Sequence, residues 1–319
     1  MSCHSKARVC DEGRANQRLA SIFCGKIMPR ALFALAAVTV LAALVSACSP
    51  IGILNALTPA NTYTVTEGLQ FGPDPRHRLD VYRPNPPAES PSPRAEYPVV
   101  VFFYGGTWIS GERRDYKFLG EALASAQILT IIADYRLYPE VRYPDFLVDA
   151  ARALAWAKRE AGRYGGDTHR VYVMGHSSGA YNAAMLALDP RWLAAQGLSP
   201  AFLKGWIGLA GPYDFLPIEN PDAKPVFFHP DYPPGSQPID YAGKASPPAF
   251  LAAPLTDSIV NPERNTKQMA AKLSAAGVSA TLKVYAGVDH VTIAGAIGGP
   301  LRWMAPVRDD VIAFVRAGR

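Results

Sequence analysis

One segment of the chain joins a strand, a sharp turn and a helix, and it constrains the fold more than any other. The β-rich run 170–174 leads directly into Gly175-His176-Ser177-Ser178-Gly179, and residues 180–187 then form an alanine-rich, helix-like stretch. In this GxSxG pattern, a strained strand-to-helix turn projects the central side chain above the sheet. The segment therefore predicts an elbow with Ser177 at its tip.

The glycine frame selects Ser177 rather than Ser178 as the projecting residue. Two positions away from Ser178 lie His176 and Ala180, whose Cβ atoms would obstruct the close approach of strand and helix that glycine permits. The residue after the tip turns its backbone N–H toward the same point. We therefore expect the hydroxyl of Ser177 and the backbone N–H of Ser178 to face one site.

Apolar β-forming runs alternate with helix-like segments along most of the chain. Strands are predicted at 78–83, 97–103, 127–133, 170–174, 205–210, 248–253 and 281–285, and helices at 115–126, 146–157, 180–187, from 261 onward and at 302–316. This alternation favours a mostly parallel central sheet flanked by helices.

Residues 214–248 interrupt the alternation with nine prolines, which predicts an irregular insertion over one end of the sheet. Its ring-bearing side chains offer two interpretations. They line a substrate pocket, or they hold together an ordered surface loop; these residues are Phe227, Phe228, His229 and Tyr232.

The loops after the predicted strands are the places to look for the groups that activate a serine. A serine hydroxyl needs a base to take its proton, and a third group must hold that base in one tautomer. After an elbow serine the chain order is an acid and then a histidine. His290 follows the last predicted strand and satisfies both order and position, whereas His77 and His169 precede strands and are expected at the opposite edge.

Asp257 is the favoured acid because it follows the predicted strand 248–253. Asp214 also follows a strand and is the runner-up. Asp289 adjoins His290 in the sequence and is poorly placed to accept its Nδ1 proton. Gly105 and Gly106, directly after the strand 97–103, are expected to join the Ser178 N–H in an oxyanion hole.

The N-terminal region has the order of a signal peptide. Residues 31–45 carry no charge, follow Arg30 and end at Ser-Ala-Cys48, which resembles the lipobox of bacterial lipoproteins. The predicted organisation is a signal peptide at 1–47, a lipid-anchored segment at 48–74 and a catalytic domain at 75–319. We further hypothesise that translation starts at Met28, because 1–27 are unusually long and acidic for a signal peptide. An uncleaved anchor with Cys48 incidental is the alternative.

Charge and cysteine content exclude several classes of function. Six of the 32 basic and two of the 27 acidic residues lie in 1–47, which leaves 26 basic and 25 acidic residues in 48–319. A chain with so little excess positive charge is not expected to bind nucleic acid. The remaining cysteines all precede Cys48, so the mature chain has neither an internal disulfide nor a cysteine metal site.

Several motifs together resemble the α/β-hydrolase superfamily, and most nearly its carboxylesterases related to hormone-sensitive lipase and the feruloyl-esterase-like hydrolases. The resemblance covers about residues 75–319 and rests on Tyr104-Gly105-Gly106-Thr107-Trp108, the run from Asp134 to Glu140, Gly165-Gly166-Asp167, the elbow, Asp257 with Val260, and His290. One position departs from the family pattern, because Tyr104 replaces the usual histidine before the glycine pair.

The resemblance implies a serine hydrolase that cleaves small-molecule carboxylic esters without a metal or an organic cofactor. Together with Cys48 it predicts a membrane-anchored lipoprotein of the bacterial cell envelope. An arylformamidase-type amidase is the nearest enzymatic alternative. A non-catalytic binding lipoprotein on a hydrolase fold is a second one, since a fold alone does not determine function. The sequence does not indicate a protein partner.

Overall fold

A single mixed sheet organises the computed structural model, which describes residues 50–86 and 96–318. Its strand order is β1-β2-β4-β3-β5-β6-β7-β8. Strand β2 pairs antiparallel with both of its neighbours, β1 and β4. Strands β3 to β8 run parallel to one another. The predicted fold class is confirmed. The strands are β1 (Tyr63–Gln70), β2 (Arg78–Pro84), β3 (Tyr97–Phe103), β4 (Leu129–Ala133), β5 (Gly166–His176), β6 (Leu203–Leu209), β7 (Ala249–Pro254) and β8 (Ala280–Tyr285).

Eight α-helices of the described ranges connect or flank these strands. They are α1 (Pro50–Ala56), α2 (Lys117–Ala124), α3 (Asp145–Glu160), α4 (Ser178–Leu188), α5 (Pro190–Ala194), α6 (Gln268–Ala275), α7 (Thr292–Gly295) and α8 (Val307–Ala317). Within the part of the chain that the structure describes, no helix has the length and apolar character needed to cross a bilayer.

Burial explains why the central strands read as continuous apolar runs. Every residue of β3, β4 and β7 is buried, as expected for parallel strands covered on both faces. The helix after the elbow, α4, is also buried along its whole length and packs against β5 and β6. Its small alanine side chains allow this close packing.

The structure differs from the sequence prediction near both ends of the chain. Strand β1 was not predicted, because it lies at the sheet edge and most of its residues are not buried. It pairs with β2, so residues 63–70 belong to the sheet although we assigned 48–74 to a separate segment. The last helix begins at Val307 rather than at residue 302, because Pro306 disfavours helical geometry in the residue before it.

The Pro-rich segment 214–248 is irregular, as predicted. It contains only two short 3₁₀ turns, Pro225–Phe227 and Pro238–Tyr241. The helix predicted from residue 261 is capped at Asn261, whose Oδ1 accepts hydrogen bonds from the N–H groups of Glu263 and Arg264.

A buried ionic cluster joins the antiparallel and parallel parts of the sheet. Arg113 Nε donates to Asp80 Oδ1 in β2 at 2.8 Å, and its Nη1 donates to Asp134 Oδ2 after β4 at 2.6 Å. The three side chains are at most 7% exposed. Both buried carboxylates thus form their ion pair with the same guanidinium.

Replacing Arg113 should therefore be far more harmful than replacing its neighbour. We expect Arg113→Met to lower the free energy of unfolding by about 3–5 kcal/mol, because it leaves two buried carboxylates unpaired. Arg114→Met is the matched control: Arg114 is exposed, and the change should stay within about 0.5 kcal/mol. Urea denaturation measures both, and equal stability of the two variants would contradict the assignment.

Candidate active site

Ser177 stands at the tip of a strained turn between β5 and α4. Its backbone has φ 52° and ψ −122°, and its N–H donates to the Leu209 carbonyl of β6 at 2.9 Å. The flanking glycines are required by close approach. A Cβ on Gly175 would lie 2.0 Å from the Gly179 carbonyl oxygen, and one on Gly179 would lie 2.0 Å from the Phe103 carbonyl oxygen.

The structure brings together the three residues that the sequence singled out. Ser177 Oγ lies 2.8 Å from His290 Nε2, and His290 Nδ1 lies 2.7 Å from Asp257 Oδ2. These distances form an unbroken hydrogen-bond chain from hydroxyl to imidazole to carboxylate. Such a chain can take the hydroxyl proton from Ser177 when its oxygen attacks an electrophilic carbon.

The surroundings of Asp257 keep its carboxylate ionised. Burial by itself raises the pKa of this carboxyl, but the hydrogen bond from His290 and the N–H groups of Val260 and Ile259 outweigh it and lower the pKa below its ordinary value. The two N–H groups donate to Oδ1 at 3.0 and 2.8 Å, which leaves Oδ2 for His290. Asp257 is therefore fixed in position as an acceptor.

The other candidate acids have different partners. Asp214, the runner-up, accepts a hydrogen bond from Arg264 at 3.1 Å. Asp289 caps the start of the next turn, where its Oδ1 accepts from the N–H groups of Val291 and Thr292. Neither carboxylate is paired with the imidazole of His290.

The prediction that His77 lies at the opposite edge of the sheet is wrong. Strand β2 is antiparallel and pairs Leu79 with Ala133 at the end of β4. It therefore begins at the edge where the parallel strands end. The His77 imidazole is nevertheless unavailable, because it is 1% exposed, lies 2.8 Å from Asp149 and accepts a hydrogen bond from the Asp74 N–H.

The turn after β3 packs directly against the elbow. A Cβ on Gly105 would lie 3.0 Å from Ser177 Cβ, so the absence of a side chain permits this contact. Gly106 has φ 131°, a conformation that favours glycine. Its carbonyl accepts from the N–H groups of Ile109 and Ser110, which closes the turn.

The assignment of the N–H groups of Gly105, Gly106 and Ser178 to an oxyanion hole stays a prediction. Thr107, which was not among the predicted site residues, lines the cleft beside Ser177 and Ser178. Its position one residue after the glycine pair was the available signal.

Tyr104, the departure from the family pattern, is built into the support of this turn. Its hydroxyl donates to Asp134 Oδ1 at 3.1 Å and accepts from Arg76 at 3.1 Å. Its carbonyl accepts from the Tyr135 hydroxyl at 2.8 Å. Burial, with Asp134 nearby, raises the pKa of Tyr104 well above its ordinary value. The phenol therefore stays neutral and acts as a structural hydrogen-bonding group.

A cavity of about 170 Å³ opens beside Ser177. Its lining includes Thr107 and Trp108 after β3, and the insertion contributes residues between 214 and 223. The rings predicted as alternative pocket residues behave differently: Phe227 is buried against Trp108 at a centroid distance of 5.0 Å, and His229 pairs with Tyr232 on the surface. The insertion thus lines the pocket with other residues than those we considered.

Within the described ranges, no three side chains of His, Cys, Asp or Glu come together as a metal site would require. Cys48, the predicted lipidation site, lies outside the described residues.

Comparison with known proteins identifies the family. Residues 79–273, more than half of the chain, match the BD-FAE family. The chain belongs to the BD-FAE family.

Relatives of this BD-FAE protein carry esterase names. The isoprenylcysteine alpha-carbonyl methylesterase of Arabidopsis thaliana is 28% identical over 275 residues, covering 79% of this chain and 62% of the relative. Esterase LipC of Mycobacterium tuberculosis is 28% identical over 222 residues, covering 63% of this chain and 53% of LipC. The aligned part of the chain thus spans less than two thirds of the length of either relative.

Solved structures share the fold. The inhibited esterase B from Lactobacillus rhamnosis superimposes with a TM-score of 0.67 at 18% identity, covering 89% of this chain and 96% of esterase B. At this level of identity the likeness establishes the α/β-hydrolase fold of the BD-FAE protein and nothing about its substrate.

His176, which was not among the predicted site residues, contacts the backbone of His290. The Nε2 of His176 lies 2.6 Å from the backbone carbonyl oxygen of His290, and the centroids of the two imidazole rings lie 5.3 Å apart. Because a carbonyl only accepts, Nε2 carries the proton. Burial, assisted by the nearby His290, lowers the pKa of His176 to about 3. This neutral donor fixes the loop that presents His290 to Ser177, and adjacency to the serine was its only signal in the sequence.

Removing this donor should impair turnover rather than binding. We expect His176→Leu to lower kcat between about tenfold and a hundredfold with little change in KM, because a small displacement of His290 spoils its alignment with Ser177. His176→Gln, whose amide can donate to the same carbonyl, should restore most of the loss. Ester-hydrolysis kinetics measure both; equal impairment of the two variants would contradict a positioning role.

The buried imidazole should also make stability depend on pH. The unfolded chain protonates His176 near pH 6.5, whereas the folded protein does so only near pH 3. The contribution of the neutral imidazole to the free energy of unfolding is therefore complete above pH 6.5. It declines on acidification by roughly 1.4 kcal/mol per pH unit. Urea titrations at pH 7, 6 and 5 should show a shallower decline for His176→Gln than for the unaltered protein. Parallel declines would contradict the neutral state.

Proposed function

We propose that this protein hydrolyses carboxylic esters through an acyl-enzyme formed on Ser177. The observation that carries the proposal is the hydrogen-bond chain from Ser177 through His290 to Asp257. Ser177, at one end of this chain, lines a cavity large enough for a small substituent. Membership of the BD-FAE family and the esterase names of the relatives support the same class of reaction. A binding protein would have no need of this aligned chain.

The reaction has two stages. Ser177 Oγ attacks the ester carbonyl carbon while His290 Nε2 takes the hydroxyl proton; the bond to the alcohol oxygen then breaks, and the alcohol leaves with that proton. Water next attacks the acyl-enzyme with His290 as base, which releases the carboxylic acid and restores Ser177. Asp257 holds the imidazole in the required tautomer and stabilises its protonated form.

Backbone N–H groups stabilise the oxyanion of each tetrahedral intermediate. Ser178, directly after the nucleophile, supplies one donor. The turn of Gly105, Gly106 and Thr107 supplies the others, because Gly105 lies against the elbow and Thr107 borders the same cavity. Each aligned donor lowers the barrier by about 3–4 kcal/mol.

Substitution of Ser177 should abolish hydrolysis, and substitution of Asp257 should lower its rate strongly. With p-nitrophenyl acetate, we expect Ser177→Ala to lose all activity above background. We expect Asp257→Asn to lower kcat about 10⁴-fold, because it favours the wrong imidazole tautomer. Asp214→Asn, which replaces the other candidate acid, should cost less than about tenfold, since Asp214 pairs with Arg264 rather than His290. Retained activity in the Ser177→Ala variant would refute the assignment.

We also propose that the protein is anchored to the bacterial cell envelope by acylation of Cys48. The support comes from the sequence, where Arg30, the uncharged stretch 31–45 and Ser-Ala-Cys48 occur in the order of a lipoprotein signal. Acyl chains on one cysteine give stable attachment, because each buried methylene contributes about 0.8 kcal/mol.

The anchor can be tested in a bacterial host that processes lipoproteins. The unaltered chain should incorporate radiolabelled palmitate and sediment with membranes, because its acyl chains insert into the bilayer. Cys48→Ser should incorporate none, with Cys24→Ser as the control that retains the label. Palmitate incorporation that survives in Cys48→Ser would contradict the site.

A further inference from the structure

Exposed apolar side chains are concentrated on one side of the molecule. Among the described residues nine large apolar side chains are exposed. Eight of them lie near the carboxyl ends of the parallel strands or on the helix α1 beside those ends, and the ninth, Leu282, lies within the edge strand β8. The other eight are Ile53 and Leu57 of α1 and its end, Ile109 after β3, Phe228 in the insertion, Leu255 and Ile259 after β7, and Val291 and Trp303 after β8. We call these eight residues the apolar rim.

Most rim residues lie in the segments that follow the parallel strands, as the proposed catalytic groups do. Val291, which adjoins His290, is 65% exposed, and Trp303 is 81% exposed. Trp303 belongs to this edge because the carbonyl of its neighbour Met304 packs on Gly287, in the loop that leads to His290. Single exposed apolar residues are ordinary on protein surfaces, whereas a cluster around a cleft indicates an interaction surface.

Helix α1 connects this edge to the N-terminal region. Asn55 Nδ2 donates to the carbonyls of Arg114 and Asp115, in the segment after the turn that follows β3. Leu54 packs near Gly295 of α7, the helix that follows His290. Cys48 precedes Pro50 by two residues, and two extended residues span at most about 7 Å. A lipid on Cys48 would therefore attach within a short reach of the rim.

We propose that the apolar rim rests on a lipid bilayer, so that the cleft at Ser177 faces the membrane surface and receives esters from the lipid phase. The tether geometry rests on the proposed acylation of Cys48. The chemistry of the rim fits the interface: tryptophan is favoured at the boundary between lipid and water, and the exposed Arg302 beside Trp303 suits anionic headgroups. A bilayer is favoured over a protein partner because the anchor holds this edge at the membrane.

Trp303 provides a test that needs no catalysis. The acylated full-length chain carrying Ser177→Ala is placed in phosphatidylcholine–phosphatidylglycerol vesicles whose acyl chains are brominated, and tryptophan fluorescence is recorded. Trp108 and Trp206 are buried in the protein core, and Trp156 and Trp192 are half-buried against it, so that Trp303 is the one exposed tryptophan of the described residues. We therefore expect most of the quenching by brominated lipid to disappear in Trp303→Phe. Quenching that is absent, or that is equal in both proteins, overturns the proposal. A rim that is covered by a protein instead of a bilayer would give this result.

A kinetic test separates this inference from the proposed function. On an ester embedded in vesicles, the double variant Leu57→Ser, Trp303→Ser should lose about tenfold in rate, because two apolar contacts with the bilayer are removed. Its rate on soluble p-nitrophenyl acetate should not change. Leu282→Ser, which removes an exposed leucine outside the rim, is the matched control. An equal effect of both variants on the embedded ester overturns the inference, whereas failure of the unaltered protein on both esters overturns only the proposed function.

Discussion

The close approach of β5 and α4 at the elbow is the constraint on which the rest of this structure depends. Gly179 lies against the backbone of Phe103 and Gly175 lies against Gly179, with no space for a side chain at either position. This contact forces Ser177 into its positive φ and brings the end of β3 beside the elbow. The proposed nucleophile and the turn after β3 are therefore parts of one packing arrangement.

The strand order supplies the remaining groups. Because β3, β5, β6, β7 and β8 are successive neighbours in a parallel sheet, the loops that follow them meet at one edge. The loops after β7 and β8 bring Asp257 to His290, and the insertion after β6 forms a wall of the cavity. Buried polar groups hold the other side, where Asp134 binds both Arg113 and Tyr104. The edge that carries the cleft also carries the apolar rim, which makes chemistry and the proposed membrane contact properties of one surface.

Sequence reasoning was most successful where a local pattern and a topological rule agreed. The glycine frame around Ser177 and the order of acid and histidine after it were sufficient to select the three residues that the structure brings together. It failed where the direction of a strand mattered, as for His77 at the start of β2, because alternating burial does not distinguish parallel from antiparallel pairing. It also failed for β1, whose exposed edge position hides the usual apolar signal.

The fold class, the elbow and the candidates for the acid and the base could be predicted from the sequence, because backbone sterics and strand periodicity are local properties. Which of these groups already have partners depends on the folded chain. The fold paired Asp214 with Arg264 and placed His176 Nε2 beside the His290 carbonyl. It also gathered the exposed apolar residues from five separate segments on one side. These outcomes depend on distances between residues far apart in the chain, and no local pattern encodes them.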